Sequence, residues 1–137
     1  MTEHEAEMTT NDPAAAVLER ARVLVDDLRL SEVVRWKAAH PGQLAVGYMP
    51  TYVPRPMLAG IGCLPVAMFG GGDQVDIIKG DSFYQSYICH IPRSTLELAL
   101  NGALDPLAGV LFPSICDVIR NLSGMLQMLF PDKYASS

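Results

Sequence analysis

Two cysteines stand where a loop leads into a helix, and they are the residues of this sequence best suited to chemistry. Cys116 follows a short apolar strand through a Pro-Ser-Ile turn and precedes Asp117, which we expect to open the last helix. Cys89 lies just upstream of the segment 94–97, Ser-Thr-Leu-Glu, which has the spacing of a helix capping box. A thiolate in such a loop lies near the positive end of a helix dipole, where negative charge is favoured.

The two thiolates, 27 positions apart, suit a shared site for a soft metal. Iron–sulfur clusters are held by cysteine sulfur, and loops at the carboxyl edge of a parallel sheet would bring the two side chains to one crevice. Two ligands are too few for such a cluster, and free cysteines are often small buried hydrophobic residues. The residues alone therefore leave both interpretations open.

The third cysteine and the histidines carry weaker signals. Cys63 stands just before a strand, at the amino end of the predicted sheet, and is interpreted as a packing residue. His90 either donates a hydrogen bond to a cluster sulfur beside Cys89 or is an ordinary loop residue. His40 is interpreted as a cap or surface residue at the end of a helix, and His4 lies in the N-terminal tail.

Two further motifs do not support nucleotide binding or hydrolysis. The Gly-Gly-Gly-Asp segment 70–73 lacks the spacing of a dinucleotide fingerprint and the Lys-Ser or Lys-Thr of a phosphate-binding loop, so we interpret it as a turn. Ser114 does not stand in a G-x-S-x-G elbow, and no histidine is placed to complete a triad with it. A serine hydrolase is therefore poorly supported.

The composition favours a cytoplasmic α/β domain. The chain has 137 residues, half of them apolar, and a net charge of -5 from 10 basic and 15 acidic side chains, which disfavours nucleic acid and anionic lipid as partners. The acidic first residues do not resemble a secretory signal, and no apolar run approaches the roughly 20 residues that span a bilayer. Three cysteines without a secretory context favour reduced thiols or metal ligation over disulfides.

The pattern divides the chain into a tail, a helical segment and an α/β domain. Residues 1–11 are polar and non-periodic, and we expect them to be disordered. Residues 12–42 predict two helices, with Asp12 and Ser31 as their N-caps. Residues 43–137 predict a first α/β domain. The apolar face of the first helix comprises Val17, Ala21, Leu24 and Leu28.

Short apolar runs alternate with helices in the α/β domain. The predicted strands are residues 44–49, 64–69 and 108–112, and residues 74–79 form either an edge strand or a turn of helix. A helix should begin at the capping box, and another should follow Cys116. This alternation predicts an α/β fold in which N-terminal helices precede a small parallel, flavodoxin-like doubly wound sheet. Three strands are fewer than is usual for a sheet, so we expect a truncated domain.

Five segments of the sequence resemble a known family. They occur in order along residues 30–134, and they are Val46–Pro54 (VGYMPTYVP), Gly62–Val66 (GCLPV), Gln85–Cys89 (QSYIC), Arg93–Leu100 (RSTLELAL) and Phe112–Leu122 (FPSICDVIRNL). These segments are similar to the benzoyl-CoA reductase and 2-hydroxyacyl-CoA dehydratase family. The last three resemble most strongly the cluster-bearing subunits of ATP-dependent benzoyl-CoA reductase. Pro56 and Cys63 depart from the family pattern, which has an acidic and an apolar residue at these places.

The resemblance implies a cofactor, ligands and partners. It implies a [4Fe-4S] cluster bound through three cysteines per subunit, the first two matching Cys89 and Cys116 and the third lying in a later domain. The implied partners are a related cluster-bearing subunit and ATP-hydrolysing activator subunits, with a ferredoxin-like electron donor upstream and a CoA thioester as substrate. The implied activity is the single-electron reduction of an aromatic acyl-CoA thioester in anaerobic aromatic degradation.

Two alternatives to this function stay open. A subunit of a 2-hydroxyacyl-CoA dehydratase would use the same cluster and a similar electron input, but it would remove water from its substrate. A non-catalytic α/β interaction domain would carry buried cysteines and no metal. On the leading hypothesis, this chain alone should be inactive because it lacks the third ligand.

Overall fold

A computed structural model describes residues 12–133, so the predicted tail of residues 1–11 and the last four residues lie outside the described part. Five helices and three strands alternate along this range. In chain order they are α1 (Pro13–Asp26), α2 (Ser31–Ala39), β1 (Ala45–Tyr48), α3 (Arg55–Gly60), β2 (Leu64–Ala67), α4 (His90–Leu100), β3 (Gly109–Leu111) and α5 (Asp117–Leu129). The predicted strands and the predicted order of elements are confirmed, although each strand is shorter than its apolar run.

The three strands form one parallel sheet in the order β2-β1-β3. β1 is central, with Ala45 opposite Leu64 on β2 and Val46 opposite Gly109 on β3. This order is the beginning of the flavodoxin-like order 2-1-3-4-5, whose switch point lies between β1 and β3. The predicted α/β class with a parallel sheet is therefore confirmed.

The core lies between the sheet and the pair α4 and α5. Leu96 on α4 and Leu122 on α5 are completely buried, and Ala45 on β1 is buried with them. Gly47 on β1 brings the strand close to its neighbours, because a Cβ at that position would stand 2.8 Å from Leu107 Cδ1. The close approach helps to explain a glycine in the middle of a central strand.

The helix α1 begins as predicted but buries none of its residues within the described part of the chain. Asp12 is its N-cap, and the Asp12 carboxylate accepts a hydrogen bond from the Ala14 backbone N–H at 2.9 Å. On the predicted apolar face, Val17 is 68% exposed and Leu24 is 50% exposed, whereas Leu28 packs against the core. None of the helices described is long and apolar enough to cross a bilayer.

The predicted N-cap of α2 is wrong. Leu30 occupies the cap position with a left-handed backbone (φ 54°), and Ser31 is the first residue of the helix. The capping oxygen comes from Asp27, which accepts hydrogen bonds from the Glu32 backbone N–H at 2.9 Å and from the Ser31 hydroxyl at 2.8 Å. Burial alone would raise the pKa of Asp27, but these hydrogen bonds lower it below its ordinary value.

The predicted start of α4 is also wrong. The helix begins at His90, and Pro92 stands within its first turn, where proline costs no intrahelical hydrogen bond. The Ser94 and Glu97 side chains are therefore inside the helix and do not cap it. The end of α4 agrees with prediction, since Asn101 is its C-cap and Gly102 follows with φ 76°.

The long connection between β2 and α4 contains no strand. Short 3-10 turns cover Gly72–Gln74 and Gly80–Ser82, and the residues between and after them are irregular. Residues 74–79 were predicted to form either an edge strand or a turn of helix. The edge strand is excluded, and the helical turn includes only Gln74 of this range. The connection is held by side chains of α4, and it leads directly to Cys89.

Candidate functional site

Cys116 is the N-cap of α5. It is exposed and has an extended backbone, and its Sγ accepts a hydrogen bond from the Ile119 backbone N–H at 3.4 Å. The cysteine ends the loop that leaves β3, as predicted. A sulfur in this position lies at the positive end of the α5 dipole.

Cys89 is the N-cap of α4 and is likewise exposed. Its backbone is extended (φ -60°, ψ 156°), and its side chain makes no capping hydrogen bond. The Cys89 sulfur therefore makes no hydrogen bond to the backbone N–H groups at the start of α4. Cys89 thus offers an accessible thiol at the second helix N-terminus.

The fold brings these two helix N-termini to the same edge of the sheet. α4 and α5 pack against each other, and α5 leaves the carboxyl end of β3. The first turns of α4 stand beside the carboxyl end of β2, because the Gly71 backbone N–H donates a hydrogen bond to Ser94 Oγ at 3.0 Å. Ligands in open α/β sheets bind at this edge, close to the switch point between β1 and β3.

The other residues considered from the sequence do not join this pair. His90 is exposed at the first position of α4, and Cys63 is half-buried just before β2, at the amino edge of the sheet. His40 is the C-cap of α2, and its Nδ1 lies 2.8 Å from the Trp36 carbonyl oxygen. Within residues 12–133, no three histidine, cysteine or acidic side chains come together in a group that could hold a metal ion.

Glu97 holds the connection that leads to Cys89. Its side chain, on a residue only 2% exposed, accepts hydrogen bonds from the backbone N–H of Gly80 at 2.7 Å and of Ile78 at 3.1 Å, and from the Asn101 side chain at 3.0 Å. Burial by itself would raise the pKa of Glu97, but the hydrogen bonds outweigh it and lower the pKa. The buried side chain is therefore an ionised anchor for the loop.

Arg93 fixes the last part of the same connection. Its guanidinium pairs with the Asp81 carboxylate at 2.6 Å and donates a hydrogen bond to the Ile88 carbonyl oxygen at 3.3 Å. Ile88 directly precedes Cys89, so this contact reaches the neighbour of the candidate ligand. Ser94, Glu97 and Arg93 together bind five residues of the connection to one helix.

Tyr84 is the residue near the site that sequence reasoning missed. Its ring packs against the core, and its hydroxyl is buried without a hydrogen-bond partner among the described residues. Burial, and secondarily the negative charge of Cys89, raises the pKa of Tyr84 to about 12. No sequence signal identifies it, because the position of a tyrosine in an irregular segment does not reveal its burial.

Comparisons with known proteins agree on one family. The model of the family described as 2-hydroxyglutaryl-CoA dehydratase, D-component, matches residues 50–135. A benzoyl-CoA reductase subunit of Thauera aromatica is 52% identical over 120 residues, which are 88% of this chain and 31% of that protein.

Two dehydratase subunits are more distant relatives. The (R)-phenyllactyl-CoA dehydratase beta subunit of Clostridium sporogenes is 35% identical over 79 residues, 58% of this chain and 21% of that protein. The beta subunit of the (R)-2-hydroxyglutaryl-CoA dehydratase of Acidaminococcus fermentans is 30% identical over 92 residues, 67% of this chain and 24% of that protein.

The chain spans less than a third of the length of these relatives. The range matched by the family model contains both Cys89 and Cys116, and it includes β2, β3, α4 and α5. The resemblance inferred from the five sequence segments is thereby confirmed. Since the family model matches more than half of its residues, this chain belongs to the 2-hydroxyglutaryl-CoA dehydratase D-component family.

Proposed function

We propose that this chain is part of an iron–sulfur subunit of an ATP-dependent benzoyl-CoA reductase. The observation that carries the proposal is the 52% identity, over 120 residues, to the benzoyl-CoA reductase subunit of Thauera aromatica. The protein would serve the single-electron reduction of an aromatic acyl-CoA thioester. The two exposed cysteines at one edge of the sheet support a role in holding the redox centre.

The donor chemistry of the site fits an iron–sulfur cluster. Cluster iron is held by thiolate sulfur, and Cys89 and Cys116 present exposed sulfur at the N-termini of α4 and α5. They would be two of the three cysteine ligands of a [4Fe-4S] cluster, and the third would come from a part of the protein outside residues 12–133. When bound, the cluster supplies electrons one at a time, and the protein sets its burial, orientation and potential.

The residues of this chain would fix the position of one ligand. Glu97 anchors the connection at Gly80, and Arg93 anchors it at Asp81 and Ile88. A ligand held by a stiff segment loses less conformational entropy when it binds metal. The charged contacts of α4 would therefore orient Cys89 before the cluster is inserted.

The proposed partners follow from the family resemblance. The Gly-rich segment 70–73 is a turn with Gly71 bonded to Ser94, and it does not carry the Lys-Ser or Lys-Thr of a phosphate-binding loop. We assign ATP hydrolysis to separate activator subunits, supplied with electrons by a ferredoxin-like donor. A related cluster-bearing subunit would complete the site for the CoA thioester. The net charge of -5 disfavours nucleic acid and anionic lipid as partners.

A second candidate function is a subunit of a 2-hydroxyacyl-CoA dehydratase. The description of the matching family and the similarity to the beta subunits of the two dehydratases favour it. The two candidates differ in how ATP is used. The complete enzyme complex should hydrolyse ATP in every turnover if it reduces benzoyl-CoA, whereas a dehydratase would need ATP only for activation.

The cluster assignment is tested by anaerobic reconstitution of the full-length subunit with iron and sulfide. Cys89→Ser and Cys116→Ser should each lose most of the bound iron and its visible absorption. Cys63→Ser is the matched control, because Cys63 lies at the opposite edge of the sheet, and it should bind as much iron as the parent. Equal iron in all four proteins would refute Cys89 and Cys116 as ligands, and a parent that binds no iron would leave a metal-free α/β interaction domain as the better account.

A further inference from the structure

Tyr52 combines two features that do not stabilise the described part of the chain. Its backbone is left-handed (φ 63°), a conformation that a bulky residue adopts only at a cost in free energy. Tyr52 is also 91% exposed, so burial of its ring offsets almost none of that cost. Leu30, the other non-glycine residue with a positive φ within residues 12–133, packs against the core instead. A strained backbone that local packing does not explain is typical of a functional site.

The loop that carries Tyr52 lies where open α/β sheets bind their ligands. It leaves the carboxyl end of the central strand β1 and leads into α3. Before Tyr52, the Met49 backbone N–H donates a hydrogen bond to the Leu111 carbonyl oxygen at 3.0 Å, which joins the ends of β1 and β3. After it, the Arg55 N–H donates one to the Val53 carbonyl oxygen at 2.8 Å. The loop is therefore held on both sides of an exposed aromatic ring, at the switch point between β1 and β3.

We propose that the Tyr52 ring stacks against a planar ring of an aromatic acyl-CoA thioester bound at the carboxyl edge of the sheet. The inference rests on the proposed function, which supplies the substrate class. Aromatic rings in offset stacks attract one another beyond what burial contributes, and ligand pockets are commonly lined by aromatic side chains. Such a substrate carries two planar rings, the aryl group of the acyl part and the adenine of CoA, and both offer the same stacking chemistry.

The experiment is isothermal titration calorimetry of the complete enzyme complex with benzoyl-CoA and with the aliphatic thioester butyryl-CoA, in the absence of ATP and reductant. Tyr52→Gly removes the ring and suits the left-handed backbone, and it should bind benzoyl-CoA roughly tenfold more weakly than the parent. Tyr52→Phe keeps the ring and should bind within about twofold of the parent. Loss for benzoyl-CoA alone identifies the aryl group as the stacked ring, and equal loss for both thioesters identifies the adenine.

Ile61→Gly is the matched control. Ile61 is likewise exposed, at 77%, but it follows α3 at the amino edge of the sheet and has an ordinary backbone (φ -91°). The control should bind both thioesters as the parent does. Tyr52→Asn is a second variant without the ring, because asparagine also tolerates the left-handed backbone, and it should lose affinity to the same extent as Tyr52→Gly.

Unfolding of the same complexes in urea separates binding from structure. Tyr52→Gly should be at least as stable as the parent, because glycine adopts the left-handed backbone without strain. A variant that dissociates or unfolds more easily would overturn the proposal, since another part of the complex would then cover the ring. Equal affinity for benzoyl-CoA in Tyr52→Gly and the parent would also overturn it and leave the proposed function intact. A parent complex that does not bind benzoyl-CoA would instead overturn the proposed function, and this inference with it.

Discussion

The Glu97 carboxylate accepts a hydrogen bond from the Gly80 backbone N–H at 2.7 Å, across 17 positions of the chain. The contact joins α4 to the connection that precedes the same helix, and that connection ends at Cys89. A second bond from the Ile78 backbone N–H strengthens the attachment. The position of a candidate ligand is thus determined by a buried carboxylate two turns further along its own helix.

Replacing Glu97 by glutamine should destabilise the protein by about 2 kcal/mol at neutral pH, since the bonds to ionised oxygen become weaker neutral ones. Equilibrium unfolding in urea would measure the loss. Glu32→Gln is the matched control, because Glu32 forms a surface ion pair with Arg35 and should cost less than about 0.5 kcal/mol. Equal effects in the two variants would contradict the anchoring role of Glu97.

The contribution of Glu97 should also depend on pH. Its pKa is lowered in the folded protein, so the ionised carboxylate favours folding above the ordinary glutamate pKa of about 4.3. This stability is lost as the pH falls through the lowered pKa. The difference in unfolding free energy between the parent and Glu97→Gln should therefore be constant above about pH 5.5 and should narrow below about pH 4.

Much of the fold follows from local sequence patterns, because strands and helix ends are set by neighbouring residues. The alternation of short apolar runs with helices predicted the parallel sheet, and the loop positions of Cys89 and Cys116 placed both at helix N-termini. The predicted capping roles of Ser94 and Glu97 are wrong because the contacts of these side chains are not local. Their partners Gly71 and Gly80 lie 23 and 17 positions away, so no local spacing can reveal them.

The difference between local patterns and distant contacts also explains the other wrong predictions. Asp27 caps α2 because Leu30 adopts a left-handed backbone, which a leucine rarely does and which its sequence position does not signal. The apolar pattern on α1 predicted a helix correctly, but the pattern alone does not predict which part of the protein packs against that face. No local pattern signals Tyr84, whose buried hydroxyl lacks a hydrogen-bond partner within residues 12–133.

Gly80→Ala and Gly124→Ala should have opposite effects on stability. A Cβ at Gly80 would stand 2.6 Å from the Arg93 carbonyl oxygen, so the backbone must shift, and a cost of about 1–3 kcal/mol is expected. Gly124 lies exposed in α5 with nothing within 4 Å, so alanine should stabilise the helix by about 0.5–1 kcal/mol. Neither glycine has a positive φ, so the expected cost of alanine at Gly80 comes from packing and not from backbone strain. Thermal unfolding would measure both, and two stabilised variants would contradict the close packing.

Cys116→Ser should separate the structural role of this residue from its proposed ligand role. Cys116 caps α5 through a 3.4 Å contact from the Ile119 N–H to sulfur, and serine is a preferred N-cap whose oxygen accepts a stronger hydrogen bond. The iron-free serine variant should therefore be as stable as the parent or more stable by up to about 1 kcal/mol, whereas Cys116→Ala should lose about 1 kcal/mol. Both variants should lose iron to the same extent, as measured after anaerobic reconstitution. A serine variant as unstable as the alanine variant would refute the cap, and one that retained the iron of the parent would refute the ligand.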